Sequence, residues 1–337
     1  MIENGLLNHL SDILSSYQHS SYVLFLDKTT NELFGNQVQK ELSLLKKKIS
    51  KFVIEGTEES KNIDTLVKFL SFLKKEGMDR KGCLIAVGGG VIGDIATVAA
   101  GLYFRGIDCI QIPTTLLAQV DSAIGGKGAI NIGTHKNTIG IIRQPRLVIV
   151  DTELLASLPK EQFTSGMAEV VKYAIAFDNE LFEKLQTTKD LRSKLPWIIN
   201  RCITIKMGIV KKDPLEQNIR ALVNFGHTVG QAIELLAKIP HGYAIAIGMT
   251  FAIKVSVRMH LLHKSMADAA LELIKQYKLP TTVQGLSVND IYRQIHEDKK
   301  TVSNVPRFVL LTKIGEVKPN QIVPEEIILD VLQEILL

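Results

Sequence analysis

The chain has 337 residues, of which 46% are hydrophobic and 22% charged, with 40 Lys+Arg against 35 Asp+Glu and a formal net charge of +5. These values exclude a disordered chain, a collagen and a disulfide-built miniprotein, and at about 150 residues per domain they suggest two domains. The basic residues are scattered rather than gathered in runs, which argues against a nucleic-acid partner and fits a small anionic molecule.

Three cysteines, Cys83, Cys109 and Cys202, are odd in number, widely spaced and without a CxxC. We read a reduced, cytoplasmic protein in which Cys83 and Cys109 serve as small core hydrophobes. The opening MIENGLLNHL has no basic segment before an apolar one, so no secretory signal is expected. The longest apolar stretch, between Lys238 and Lys254, falls short of the ~20 residues of a membrane span and contains His241, so no membrane partner is expected.

In chain order, strands are predicted over 21–27, 51–56, 83–87, 108–113 and 146–151, with amphipathic stretches such as SKNIDTLVKFLSFLKKEG between them. The runs are apolar throughout rather than alternating. Such strands are covered on both faces, as in a parallel α/β sheet, and ligands bind beyond their carboxyl ends. After about Asp151 helical periodicity dominates to about residue 300, followed by an apolar run at 307–317 that reads as a hairpin. We place the domains at 1–155 and 156–337, packed around a shared cleft. No internal repeat or low-complexity segment is evident.

The strand at 83–87 runs into GGGVIGD (88–94), where Gly88, Gly90 and Gly93 satisfy G-x-G-x-x-G between a strand and a helix. Glycines allow a tight turn and close backbone approach to a pyrophosphate, and the helix N-terminus attracts the anion. The acidic residue expected about 20 positions on is absent, because Asp108 opens the next strand; Asp27, at the end of the first strand, is an alternative ribose partner. A glycine-rich turn without a ligand is the competing reading. The stretch 113–140 is rich in Thr, Gly, Lys and Asn, with Asp121 six residues before Lys127 and with Lys127 and Lys136 near glycines. It reads as a binding loop or as an ordinary surface hairpin.

Phe163, Met167, Val170, Val171 and Ala174 form an apolar helical stripe, which puts Glu169 and Lys172 on the opposite face as a solvated ion pair or, in a cleft, as metal ligand and anion contact. Asn224, His227, Gln231 and Glu234 share a face by their spacing, and His241 follows Pro240 at the start of another helix. A carboxylate and two imidazoles suit a catalytic zinc site, although nothing local joins Glu169 to either histidine. The rival pair, His260 and His263, has no nearby carboxylate and reads as surface; His9, His19 and His296 show no partner in the sequence.

Taken together, GGGVIGD, YFRGI, PTTLLAQVDSAIGGK, HKNTIG, GMAEVVKYA, NFGHT and HG…AIGM resemble the 3-dehydroquinate synthase family in order and spacing, over roughly residues 20–315. The resemblance implies a Rossmann-like α/β N-terminal domain and a mostly α-helical C-terminal domain. It also implies bound NAD⁺, one Zn²⁺ that Co²⁺ can replace, a homodimer, and a substrate, 3-deoxy-arabino-heptulosonate 7-phosphate, that carries a carboxylate and a phosphate. The implied reaction oxidises carbon 5 transiently, eliminates phosphate, returns the hydride and closes the carbocycle by an intramolecular aldol step, with no net redox change. The implied metal ligands are Glu169, His227 and His241. The implied NAD⁺ contacts are Asp27, Glu58, Lys61, Gly89, Gly90, Val91, Asp94, Thr114, Thr115, Lys127, Lys136, Asn137 and Ser157. The implied substrate contacts are Arg105, Asp121, Lys127, Asn137, Lys172, Lys206, Arg220, Asn224 and Lys299, a basic set suited to an acidic sugar phosphate.

The chain departs from the family pattern at four places. Gln231 stands where a proton-relaying histidine is usual, and Tyr243 replaces a glutamate beside His241. Asp213-Pro214 replaces Asp-Glu, and the segment after Lys299 and Lys300 reads TVSNVP without the usual glycine. The alternatives are a related cyclase acting on sedoheptulose 7-phosphate or glucose 6-phosphate, a weakly active homologue that keeps NAD⁺ and metal, and a net polyol dehydrogenase. Retention of Asn224, Lys206 and Arg220 favours the synthase.

Overall fold

The apolar runs of the first half become a five-stranded parallel sheet buried on both faces. The computed structural model describes residues 1–133, 135–216, 219–297 and 305–337; Lys299, Lys300 and most of the TVSNVP segment lie outside these. The described chain forms two compact units, Met1–Leu158 and Pro159–Leu337.

The strands of the first unit are β1 (Ile2–Glu3), β2 (Ser21–Asp27), β3 (Lys48–Ile54), β4 (Cys83–Gly88), β5 (Asp108–Pro113), β6 (Lys127–Ile132), β7 (His135–Ile142), β8 (Leu147–Val148) and β9 (Val150–Asp151). Its α-helices are α1 (Leu10–Ser15), α2 (Lys28–Thr30), α3 (Asn36–Ser43), α4 (Ile63–Lys75) and α5 (Gly90–Leu102). The main sheet runs β3-β2-β4-β5-β8, all parallel, and β6 and β7 form a separate antiparallel hairpin. Along β2, Val23 and Phe25 join Leu66, Phe69, Ile95 and Ala99 in one core. Tyr22, Leu24 and Leu26 join Leu10, Leu14, Val38 and Leu42 in the other. Strand side chains alternate between faces, so two cores require apolar residues at both parities. The expected strand at 146–151 divides into β8 and β9, because Ile149 donates to Gln111 O and Val150 to Met1 O.

Helix α4 shows the local signals in full. Asn62 caps it by accepting from Thr65 N at 2.9 Å, Asp64 lies in its first turn, and Lys74 and Lys75 lie in its last. Gly77, at φ 70°, ends it in the left-handed conformation that glycine adopts without strain.

The second unit comprises α6 (Lys160–Phe177), α7 (Asn179–Thr187), α8 (Leu191–Lys212), α9 (His227–Ala237), α10 (His241–Arg258), α11 (Lys264–Gln276), α12 (Val288–Glu297) and α13 (Glu325–Ile335), with the antiparallel hairpin β10 (Phe308–Lys313) and β11 (Glu316–Gln321). The hairpin extends to Gln321, beyond the expected run. Helix α10 is central, packing on α6, α9, α11, α13 and β10. Glycines permit its two closest approaches. A Cβ on Gly242 would lie 1.8 Å from Ser165 O of α6, and one on Gly248 would lie 1.9 Å from Gly226 O at the start of α9. Among the described residues, no helix is long and apolar enough to cross a membrane.

Candidate functional site

In the first unit the glycine turn joins β4 to α5, with Gly89 as N-cap. Gly93 is required by packing: a Cβ there would lie 2.7 Å from Gln111 Oε1 on β5. Gln111 Nε2 instead donates to Gly93 O at 3.2 Å and to Thr97 Oγ1 at 2.8 Å, fastening helix to sheet. Gly89 and Gly90 face Thr115 and Ser122, so the turn and the segment after β5 lie side by side. Thr114 N donates to Gly88 O at 3.1 Å, which places Thr114 and Thr115 against the turn. Val91 opens the helix beside Gly90. Asp27, at the carboxyl end of β2, accepts from Thr30 N at 2.8 Å, and Thr30 Oγ1 donates to Val87 O at 3.1 Å. The amide groups at the start of α5 and the Asp27 carboxylate therefore stand at the carboxyl ends of neighbouring strands, the geometry of a dinucleotide site.

A second group surrounds Lys61, which is buried despite its charge. Its Nζ pairs with Asp94 Oδ2 at 2.5 Å and donates to Asn137 Oδ1 at 2.6 Å. Asn131 completes the network: its Nδ2 donates to Glu58 Oε1 at 2.8 Å and its Oδ1 accepts from Asn137 N at 2.8 Å. Asn137 has φ 53°, and that left-handed backbone is held by both partners. Glu58, Lys61, Asp94 and Asn137 are thus brought together, and Asn131, which the sequence reading did not single out, ties them. No local spacing signals Asn131, because its partners lie 73 and 6 residues away.

Lys127 opens β6, Lys136 lies on β7, and both are exposed. Asp121 lies on a short π-helical turn, Ala118–Ser122. Ser157, exposed, ends the 3-10 turn Thr152–Ser157. Arg105 is not among these groups: it follows the far end of α5, which at 1.5 Å per residue is about 20 Å from the glycine turn.

In the second unit, Glu169 and Lys172 pair, but not at a solvated surface. Residues 165–176 of α6 are all buried, with Glu169 0% and Lys172 1% exposed. The apolar stripe is one part of a helix surrounded on every side, which overturns the surface ion pair. Asn224 is also displaced from its expected place. The left-handed Gly226 starts α9 at His227, so Asn224 belongs to the preceding 3-10 turn, Ile219–Asn224, and not to the face shared by His227, Gln231 and Glu234.

Glu169 Oε1 lies 3.8 Å from His227 Nε2 and 3.8 Å from His241 Nε2, and one ligand atom from each residue falls within 4.8 Å of the others. Ligand atoms about 2.1 Å from a tetrahedral zinc lie ~3.4 Å apart, so slight inward rotations would suffice. Both imidazoles are oriented from behind. His227 Nδ1 donates to Phe225 O at 3.3 Å, and His241 Nδ1 donates to Glu234 Oε2 at 2.8 Å. This leaves Nε2 of each directed to Glu169, as a divalent metal requires. Burial alone would lower the His241 pKa, but Glu169 and Glu234 outweigh it and push it up to about 10.

Lys172, Lys206 and Arg220 are all buried, an uncommon state for cations. Arg220 is held by its chain: its N donates to Asp213 Oδ2 at 3.0 Å and its Nη1 to Pro214 O at 2.9 Å. Asp213-Pro214 thus serves as an arginine mount through one carboxylate and one carbonyl. Gln231 and Tyr243 are half-buried. His263 is engaged as the cap of α11, with Ser265 Oγ 2.8 Å from its Nδ1, and forms no ligand cluster with His260.

Residues 51–165 match the family model described as 3-dehydroquinate synthase N-terminal, and residues 166–301 match that described as 3-dehydroquinate synthase C-terminal. A 3-dehydroquinate synthase of Prochlorococcus marinus (strain MIT 9312) is 37% identical over 329 residues, 94% of this chain and 91% of the relative. The solved structure of 2-epi-5-epi-valiolone synthase from Streptomyces hygroscopicus subsp. jinggangensis 5008, with NAD⁺ and Zn²⁺ bound, has a TM-score of 0.90 at 25% identity, covering 99% of this chain and 95% of that one. A 2-deoxy-scyllo-inosose synthase complexed with carbaglucose-6-phosphate, NAD⁺ and Co²⁺ gives 0.87 at 26% identity, covering 98% and 95%.

Proposed function

The chain belongs to the 3-dehydroquinate synthase family, and on that premise we propose that it converts 3-deoxy-arabino-heptulosonate 7-phosphate to 3-dehydroquinate and phosphate, a step toward aromatic amino acids. The observation that carries the reading is the Glu169–His227–His241 cluster with its oriented imidazoles, in a chain that also holds a strand–glycine turn–helix.

When bound, NAD⁺ supplies a reversible hydride acceptor and Zn²⁺ or Co²⁺ a Lewis acid for substrate oxygens. Glu169, His227 and His241 would hold the metal, and Lys172 pairs with the Glu169 carboxylate. The amides of Gly89, Gly90 and Val91 would receive the cofactor pyrophosphate at the start of α5, and Asp27 a ribose hydroxyl. The network of Glu58, Lys61, Asp94 and Asn137 would fix the cofactor's position, flanked by Thr114, Thr115, Lys136 and Ser157. Lys172, Lys206 and Arg220 offer buried positive charge to the substrate carboxylate and phosphate, because cations removed from water bind anions more strongly. Asn224, Asp121, Lys127 and Lys299 complete the proposed substrate set, and Arg105, about 20 Å from its own glycine turn and beside the exposed Leu102 and Phe104, would join it only from a second copy. Gln231 can donate and accept a hydrogen bond beside the metal ligands but cannot carry a proton through the cycle.

A homodimer and a cytoplasmic location belong to the same proposal. Leu102, Phe104, Ile139 and Ile142 are exposed on the first unit and give it apolar surface for a second copy. Cys83, Cys109 and Cys202 are buried and form no disulfide, as suits a reducing compartment.

A second reading, which the departures at Gln231 and Tyr243 permit, keeps the site and changes the substrate to another sugar phosphate. One experiment separates the two. Protein is mixed with NAD⁺, Zn²⁺ and 3-deoxy-arabino-heptulosonate 7-phosphate, and phosphate, 3-dehydroquinate and NADH are followed. Equal rates of phosphate and 3-dehydroquinate formation without net NADH are expected. No phosphate release from protein that binds both cofactors would refute the synthase reading and direct the assay to heptulose and hexose phosphates.

A further inference from the structure

The sheet of the first unit has a polar cavity at the edge opposite the glycine turn. It has a volume of about 400 Å³ and lies where His19 precedes β2, Arg80 and Lys81 precede β4, Asp108 opens β5 and Arg146 precedes β8. A strand of seven residues at ~3.3 Å each puts about 20 Å between the two edges, so this cavity is separate from the proposed cofactor site.

Its chemistry is that of an anion receptor. Arg80, Lys81 and Arg146 come from two separate loops and outnumber the one carboxylate, Asp108, three to one. That carboxylate is already engaged: its Oδ2 lies 3.0 Å from His19 Nε2 and 3.9 Å from Arg146 Nε. His19, which shows no partner in the sequence, lines the cavity and is 6% exposed. Asp108 as acceptor fixes the proton on its Nε2, and among the described residues Nδ1 has no hydrogen-bond partner. With its proton on Nε2, His19 offers an acceptor at a buried Nδ1, so the anion's hydrogen bonds come from the cationic side chains. Tyr17 holds the imidazole in place, its ring stacked on His19 with centroids 5.7 Å apart and with the Arg146 guanidinium 5.4 Å from its centre.

We propose that this cavity binds a small phosphate-bearing molecule, with Arg80, Lys81 and Arg146 neutralising the charge and the His19 imidazole in the cavity wall sensing its presence. Guanidinium groups match tetrahedral oxyanions in pairs, and several cations converging from separate loops suit a compact dianion.

The test uses the whole protein carrying ¹³C-labelled histidine, with the His19 resonance assigned from His19→Gln. Inorganic phosphate and glycerol 3-phosphate are titrated separately at constant ionic strength, with chloride and succinate as controls. A saturable shift of the His19 signal is expected with a midpoint of about 1 mM or tighter, as a few charge-assisted contacts provide. Arg146→Ala and Lys81→Ala, both exposed positions, should each weaken it about tenfold. A tighter midpoint for glycerol 3-phosphate would support the site and identify a monoester as its natural class; a tighter one for phosphate would support it with the free ion. A His19 signal unmoved by either, moved equally by chloride or succinate, or insensitive to both substitutions would overturn the proposal. If His19→Gln fails to fold, substituting the other seven histidines one at a time leaves the His19 signal by elimination.

Discussion

The polar groups of the two units are held by opposite means. In the first unit they are amides and loop side chains at the ends of strands whose own side chains are almost wholly apolar. In the second they are charged side chains drawn into a helical core, with Glu169, Lys172 and Arg220 at most 1% exposed. The first arrangement uses groups that every backbone carries, so glycine spacing governs it. The second must offset the desolvation of each charge with a partner, and it depends on helix packing. A substitution in the second unit should therefore cost more function than one at a comparable site in the first.

The largest effect is expected from His227→Ala. It removes one of two imidazoles whose ligand atoms lie 3.8 Å from Glu169. Zinc affinity should fall by more than the ~100-fold that loss of an orienting partner costs, and turnover should fall with it. Metal content after dialysis and phosphate release measure the two together. Wild-type turnover in metal-free buffer would remove zinc from the proposed site.

Glu234→Gln should come next. The carboxylate fixes His241 by a 2.8 Å hydrogen bond and is one of the charges that raise its pKa. Its loss should weaken zinc by ~10–100-fold while leaving the fold intact. Competition with a chelator gives the affinity, and an unchanged value would show that Glu234 does not act on the metal. This residue also bears on the loss of the glutamate at Tyr243. The carboxylate that orients His241 comes from α9, so Tyr243 does not leave the ligand unsupported.

What could be read beforehand follows the same division. The parallel sheet, the glycine turn and the strands at 21–27 and 108–113 were readable because their signals are local: continuous apolar runs and G-x-G-x-x-G. The surroundings of Glu169 were not. The stretch 165–176 of α6 is buried on every face, so its periodicity suggested a solvent side that does not exist there. Joining Glu169 to His227 and His241 took the family resemblance, because the contact depends on Gly242 passing against Ser165 and Gly248 against Gly226. Those glycines sit inside a helix, where spacing alone does not say what they approach. Likewise His19 lacked a visible partner because Asp108 lies 89 residues away.

In the first unit, Asn131→Ala should have a smaller effect than either change above. It removes two side-chain hydrogen bonds, to Glu58 and to Asn137 N, and so loosens the left-handed Asn137. At about 1 kcal/mol for the bond that holds Asn137 N, NAD⁺ affinity should fall by roughly fivefold, with zinc affinity unchanged. Calorimetric titration of both ligands tests the pair. A loss of zinc with NAD⁺ binding intact would break the contrast between the units.

The smallest effect is expected from Gln231→His, and its direction carries the information. Gln231 lies one turn beyond His227 on α9, half-buried and close enough in sequence to share that face. An amide there can hold a substrate oxygen but cannot titrate, so any proton passed through this position must at present take another route. Histidine restores a group that titrates near pH 6.5 without adding to the Glu169–His227–His241 set. Activity should be equal or higher, with a new limb in the pH profile of kcat and no change in zinc content. Equal activity without a new limb would mean that the proton path has moved permanently to solvent or to the substrate's own phosphate. A collapse of activity with zinc retained would mean that the amide itself is required, which is what a substrate other than 3-deoxy-arabino-heptulosonate 7-phosphate would demand of this position.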